Sequence, residues 1–428
     1  MSAAIDEVAR ELRPPLTADA AAVEADRCLE CGGLNAPAPC VAGCPASVDV
    51  PGFVAAIAAG DPAAAARIIF AENILGGTCA RVCPVEVLCQ RDCVLVHEGR
   101  APIEIGALQR YATEWAYRNG VPLRASAPAK GRSVAVVGAG PAGLAAAGEL
   151  AARGYAVTVY DERDEVGGLV RYGIAPYRQT NEPLPDEARL LADLGVEFRL
   201  RTRVDARRLE ELTHEVDAIV LAVGMGADAG VKYENDDLDA VWESLPFIEQ
   251  LKTGAPPAVG GRVAVIGGGN TAVDVAVEAK RLGADVALLL YRRTEQEMPA
   301  YEHEVELARS EGVEIRFLTS PVAFVGEGRV EGVRCAEMRL GAPDDTGRRR
   351  PELVPGSEFV ISVDTVVKAI GQEPRAEFRS LLESVDENGR TDNPKIFAAG
   401  DAVNGGASVV QAVAEAKRAV AALDEALR

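Results

Sequence analysis

The stretch VAVVGAGPAGLAAAGELAARGYAVTVYDE, residues 134–162, decides the fold. A short apolar run of strand length leads into Gly138, Gly140 and Gly143. An alanine-rich helical segment follows, and a second apolar run ends at Asp161, eighteen residues beyond the last glycine. The first glycine permits a tight turn out of the strand, the second lets backbone approach a pyrophosphate, and the third lets helix pack on strand. The helix N-terminus favours negative charge, and the acid can accept hydrogen bonds from ribose hydroxyls. The spacing predicts a dinucleotide-binding β-α-β unit, with Gly138, Gly140, Gly143 and Asp161 as binding residues.

The design recurs in VAVIGGGNTAVDVAVEAKRLGADVALLLYRRTEQEMP, residues 263–299. Gly267, Gly269, Asn270 and Thr271 form this second loop and the head of its helix. Ala272 stands where the third glycine would be, and the second strand ends in Arg292 and Arg293 instead of an acid. Arginines can pair with a ribose 2′-phosphate, which favours NADP(H) over NAD(H). The alternative is a solvated basic turn beside Glu295 and Glu297. Two such openings predict two doubly wound α/β domains. FAD on the first and a nicotinamide on the second would let hydride pass between them. A dithiol reductase built on the same plan needs a redox CxxC in a nucleotide domain, and no cysteine lies between Cys93 and Cys335.

On the N-terminal side, RASAPAKGR (124–132) is polar and aperiodic and marks a boundary. Before it, stretches such as VPGFVAAIAAGDPAAAARIIFAEN show helical spacing and no strand-like alternation. The last segment, PKIFAAGDAVNGGASVVQAVAEAKRAVAALDEALR, reads as strand, glycine-rich turn and long helix returning to the first β-α-β domain. We expect a helical domain over 1–128, an FAD domain over 129–225 and 362–428, and a nicotinamide domain over 226–361.

The helical segment holds eight of the nine cysteines, spaced C-x2-C-x8-C-x3-C-P from Cys28 and C-x3-C-P-x4-C-x3-C from Cys79. Two quartets of thiols in a chain without secretory signals point to two [4Fe-4S] clusters, with zinc as the main alternative. Each quartet could hold its own cluster. In ferredoxin-type runs, however, the cysteine before proline commonly ligates the other cluster, which would send Cys44 across.

With 428 residues, 48% of them hydrophobic and 26% charged, the chain has an ordinary globular composition with room for two or three cores. A net charge of −20 argues against nucleic acid or an anionic membrane as partner. No apolar run approaches membrane-spanning length, and MSAAIDEVARELRPPL carries acids and prolines where a signal peptide needs a basic start and an apolar core. The expected location is the cytoplasm.

RCLECGGLNAPAPCVAGCPASVDVPGFV, AENILGGTCARVCPVEVLCQRDC, APIEIGALQRYATEWA, both glycine loops, AIGQEP and FAAGD together resemble one family. It is the FAD and iron-sulfur module shared by the glutamate synthase small subunit and the N-terminal half of dihydropyrimidine dehydrogenase. The module also occurs in the nicotinamide-linked subunit of bacterial dihydropyrimidine dehydrogenases and in diaphorase subunits of ferredoxin-linked aldehyde or 2-oxoacid oxidoreductases. The cysteine segment looks most like the dihydropyrimidine dehydrogenase branch. That resemblance implies one cluster on Cys28, Cys31, Cys40 and Cys93 and another on Cys44, Cys83, Cys89 and the amide of Gln109, with Cys79 left over. It places Gly167, Gly168 and Leu169 beside the flavin, Gly400 and Asp401 on its ribityl and phosphate part, and Ser408 and Val409 near the ring. Gly371 of AIGQEP would line the nicotinamide approach, with Gly224 on the opposite wall. GIAPYR departs from the family's usual Gly-Ile-Pro.

The implied function is an NAD(P)H-linked electron-transfer subunit whose second redox subunit carries the substrate chemistry or ferredoxin-like iron-sulfur centres. No general acid or base is required. A reading of another class is a docking scaffold holding zinc or inert clusters.

Overall fold

The computed structural model describes residues 11–33, 36–344 and 347–428. The signal-peptide reading falls mainly on residues 1–10, and residues 34–35 of the Cys31–Cys40 gap are likewise outside the described residues.

The N-terminal region is helical, as its periodicity implies: α1 (Ala18–Ala25), α2 (Pro39–Ala42), α3 (Val50–Ala58), α4 (Pro62–Glu72), α5 (Gly76–Val82), α6 (Val94–His97) and α7 (Ile105–Asn119). Local chemistry sets the ends. Asp49 and Asp61 accept from the N–H groups of Gly52 and Ala64 at 3.1 and 2.8 Å, each with a proline in the first turn, and Gly120 closes α7 in the left-handed region. Ala65, Ala66, Ile69 and Phe70 form the buried stripe of α4.

The first glycine loop follows β1 (Ser133–Val137), and α8 (Pro141–Ala152) leads on to β2 (Ala156–Tyr160). With β3 (Glu197–Arg199), β4 (Ala218–Leu221) and β14 (Ile396–Ala398) these strands make a parallel sheet in the order β14-β4-β1-β2-β3. Two further helices of this half matter below: α9 (Leu184–Asp193) and the C-terminal α12 (Val409–Ala426). The second loop opens α10 (Asn270–Arg281) in a matching parallel sheet, β5-β13-β6-β7-β8, made of β5 (Val241–Glu243), β6 (Arg262–Ile266), β7 (Val286–Leu290), β8 (Val313–Arg316) and β13 (Thr365–Lys368). β9 (Thr319–Val325), β10 (Gly332–Pro343), β11 (Arg349–Leu353) and β12 (Phe359–Ser362) add an antiparallel sheet. In both parallel sheets the strand order reverses beside the strand that runs into the glycine loop, β1 next to β4 and β6 next to β13, which places a switch point, and the crevice it opens, at each loop.

Two compact units result: one of residues 12–171, 181–225 and 374–428, the other chiefly of 172–180 and 226–373. The helical region and the first sheet share a single core, in which Phe53, Ile69, Phe70 and Leu108 cluster with Leu144, Leu150 and Val413. The chain returns to the first unit at Pro374 rather than at 362, because β13 is an interior strand of the second sheet. Among the described residues no helix is long and apolar enough to cross a membrane.

Candidate functional site

Four of the eight N-terminal cysteines lie in or cap short helices, and the other four lie in the turns between helices. Cys40 lies in α2, Cys79 within α5, Cys83 at the C-cap of α5 and Cys93 at the N-cap of α6. They enclose two cavities. The first is lined by Cys28, Cys31, Cys40 and Cys93 among apolar residues that include Leu29, Val50 and Ile103. The second is lined by Cys44, Cys79, Cys83, Cys89 and Gln109. Each contiguous run therefore gives a residue to the other's cavity: Cys93 leaves its run for the first and Cys44 leaves its run for the second.

Gln109 is buried, and its Nε2 donates to the Gly76 carbonyl at 2.7 Å, which leaves the amide oxygen as its available lone-pair end. Cys79, left over in the sequence reading, also faces the second cavity and is 2% exposed. That cavity thus offers five candidate donors.

All nine cysteines are free thiols. Burial pushes Cys40 and Cys89 up to about 12, reinforced by neighbouring thiols, and a hydrogen bond with Cys79 followed by burial raises Cys83. Thiols give up their protons when a positive metal body arrives, and four lining one cavity match the donor number of a [4Fe-4S] cluster, while among the described residues no group of three or more is drawn close enough to hold a single metal ion.

The first nucleotide loop shows the geometry a pyrophosphate needs. Gly138 has φ +106°, and a Cβ there would lie 2.2 Å from the Ala222 carbonyl oxygen. A Cβ on Gly143 would lie 1.8 Å from the Gly138 oxygen, whereas one on Gly140 would meet only the Gly168 Cα at 3.8 Å, so the loop is open at its middle glycine. The Asp161 carboxylate accepts from the N–H of Ala139 at 2.6 Å and of Arg163 at 2.8 Å, pinning the loop to the end of β2.

Segments distant in sequence converge here. Gly167 N–H donates to the Ala139 carbonyl at 2.8 Å, Gly168 lies against Gly140, and the Gly400 Cα faces Ala142. Asp401, in the short helix α11 (Asp401–Asn404), accepts from Ala407 N–H at 3.1 Å, and burial raises its pKa. Ser408 caps α12 in a reciprocal box with Gln411, with Val409 as the first helical residue.

The second loop repeats the first. A Cβ on Gly267 would lie 2.2 Å from the Ala369 oxygen, Gly269 has open space, and Ala272 is fully buried at the helix–strand contact. Thr271 is exposed, and Asn270 accepts from Tyr301 N–H at 3.0 Å, so its side chain ties down the following loop. The two arginines part company. Arg293 is buried, donating to the Arg349 carbonyl at 2.8 Å and pairing with Asp344 at 3.1 Å, while Arg292 is exposed. The carbonyl of Gly371 accepts from Ala229 N–H at 2.7 Å; Gly371 belongs to the second unit and Gly224 to the first.

Residues 132–416 match the pyridine nucleotide-disulphide oxidoreductase family, and residues 5–121 match dihydropyrimidine dehydrogenase domain II, 4Fe-4S cluster. The chain belongs to the pyridine nucleotide-disulphide oxidoreductase family. Within it, the chain is 36% identical to the NADPH glutamate synthase small chain of Escherichia coli, over 96% of this chain and 92% of that one. It is 37% identical to the NADP(+)-dependent formate dehydrogenase subunit beta of Moorella thermoacetica, over 91% of this chain but only 60% of the longer relative. A solved structure of Mycobacterium tuberculosis FprA with NADPH shares the fold at TM-score 0.59 and 21% identity, covering 70% of this chain and 85% of that one.

The family membership and the iron-sulfur match make this chain an oxidoreductase module of the FAD and iron-sulfur, NAD(P)H-linked type. They do not single out the dihydropyrimidine dehydrogenase branch: the domain match carries that name, while the relative matched over nearly its full length is a glutamate synthase subunit. Sequence reasoning missed two residues of this family member's site. Ile105 lines both cysteine cavities, and Val410, in the first turn of α12, lines the second. An apolar residue at a helix start carries no local signal of either role.

Proposed function

We propose that this chain is the NADPH-linked electron-transfer subunit of a larger enzyme, with FAD at the first glycine loop, NADPH at the second and one [4Fe-4S] cluster in each cysteine cavity. When bound, FAD exchanges a hydride with the nicotinamide and releases electrons singly, and iron-sulfur clusters carry them one at a time. The chain's own residues do the positioning. Gly140 and Gly269 leave room for phosphate at two helix N-termini, Asp161 and Asp401 offer carboxylates to hydroxyl groups, and Arg292 offers a cation to a 2′-phosphate. The Cys28, Cys31, Cys40 and Cys93 set would hold one cluster. Cys44, Cys83 and Cys89, with Gln109 or Cys79, would hold the other.

The observation that carries this reading is Val410. It belongs to the helix whose head is expected at the flavin, yet it forms part of the wall of the second cysteine cavity. Ile105 in turn is common to both cavities. Flavin, second cavity and first cavity would thus form a series, ending in a partner chain that carries the substrate chemistry. The names of the glutamate synthase and formate dehydrogenase relatives, each a chain or subunit of a larger enzyme, support such a partner. Cysteines used as iron-sulfur ligands rather than in disulfides suit a reducing compartment, the cytoplasm.

Anaerobic purification with iron, sulfide and flavin assays tests this. We expect about eight irons and one flavin per chain, with flavin bleaching faster with NADPH than with NADH. Zinc in place of iron would return the protein to the scaffold reading.

A further inference from the structure

Glu187, in the first turn of α9, is fully buried, unusual for a carboxyl side chain. It does not stand near either glycine loop in sequence, and the relay above does not use it. Its carboxylate reaches α5, 109 residues away: one oxygen accepts the Thr78 N–H at 2.8 Å and the other the Thr78 hydroxyl at 2.6 Å, with the Tyr117 hydroxyl at 3.5 Å.

Helix α5 needs this. The first N–H groups of a helix lack partners within it, and the N-cap of α5, Leu75, supplies no side chain to satisfy them. Thr78, at the third helical position, finds its acceptor on another helix, where a capping serine or aspartate would ordinarily serve. The opposite polarity of the same turn is held by Gln109, whose amide donates to the Gly76 carbonyl. Arg81, on the next turn, donates to Gly77 O at 2.9 Å and pairs with Glu114 at 2.6 Å. Cys79 follows Thr78 directly, and Cys83 closes the helix; both line the second cavity.

We propose that Glu187 is a positioning residue for the second cysteine cavity: by capping α5 from the flavin-binding half, its carboxylate fixes the turn that presents Cys79 and Cys83. This rests on the cluster reading above. The flavin half thereby shapes the cavity from two sides, through Val410 in its wall and through Glu187 behind α5.

The test compares Glu187→Ala, Glu187→Gln and Thr78→Val with the wild type, full-length and anaerobically reconstituted. In Glu187→Ala we expect about half the iron to be lost, with flavin content and the spectrum of the first-cavity cluster retained. In the metal-free protein, amide exchange across residues 76–82 should accelerate at least tenfold. Glu187→Gln keeps an acceptor for the Thr78 N–H and should keep its iron, with a changed reduction potential for one cluster alone, because an amide is a weaker acceptor behind α5 than a carboxyl group held by two hydrogen bonds. Thr78→Val, which retains the amide donor, should show a milder change in the same cluster. If Glu187→Ala does not fold, the other two variants decide. Unchanged cluster spectra, potentials and 76–82 exchange in both would overturn the proposal. A wild type that takes up no iron would instead overturn the cluster reading, and the exchange measurement would still judge the cap.

Discussion

Arg292 and Arg293 are adjacent, and the strand-end pattern that marks them as a 2′-phosphate site cannot tell them apart. Burial can. Arg293 is spent on Asp344 and a carbonyl of the antiparallel sheet, so its loss removes a partnered buried charge, while Arg292 is exposed at the end of β7. Arg292→Ala should raise the KM for NADPH roughly 10- to 100-fold, the worth of a charge-assisted contact, and leave NADH nearly unaffected. Arg293→Ala should preserve the NADPH preference but lower the melting temperature. Steady-state kinetics with both nucleotides and a thermal melt separate the roles, and equal loss of NADPH preference in both variants would refute the division. The cysteines show the same limit of legibility. Spacing identified eight thiols, and the crossed arrangement came from the family resemblance; the place of Cys79 depends on which way α5 turns.

At the scale of elements, the two β-α-β units were legible because a buried strand, a glycine turn and a helix are consecutive in the chain. The membership of β13 was not: a four-residue apolar strand looks alike in either sheet, and only pairing with β5 and β6 assigns it to the second. Equally hidden was the inner face of α10. Glu278 on that face is fully buried, with one carboxylate oxygen accepting from Tyr177 N–H at 3.2 Å and the other without a partner among the described residues. Burial pushes it up to about 8, against the pull of the Tyr177 amide and Arg281. Its folded pKa thus lies above its unfolded value, so the folded state binds the extra proton. Stability is full below the unfolded value near 4.5 and declines as pH rises through about 8. Glu278→Gln should match the wild type at pH 5 and exceed it at pH 8.5, by on the order of 4 kcal/mol. Chemical denaturation at the two pH values measures this, and a difference that does not change with pH would contradict it.

For the whole molecule, Ile105 common to both cavities and Val410 on the helix proposed to head the flavin site together imply an order of electron flow. Composition and motifs could name the cofactors, but a series is a spatial statement, and no spacing along the chain encodes it. If the second cavity adjoins the flavin-side helix and the first lies beyond Ile105, then ligand loss in the two cavities has unequal effects. Cys28→Ser should disable the first-cavity cluster while NADPH still reduces both flavin and the second-cavity cluster. Cys83→Ser should leave the first-cavity cluster assembled but isolated, reduced by dithionite and not, on the timescale of turnover, by NADPH. Both variants should retain reduction of a small acceptor such as ferricyanide, which can take electrons at the flavin, and both should fail to reduce a protein partner. Freeze-quenched electron paramagnetic resonance after mixing with NADPH reads each cluster separately. Reduction of the first-cavity cluster in Cys83→Ser at the wild-type rate would mean that electrons reach it without the second, and the shared walls would then be packing alone.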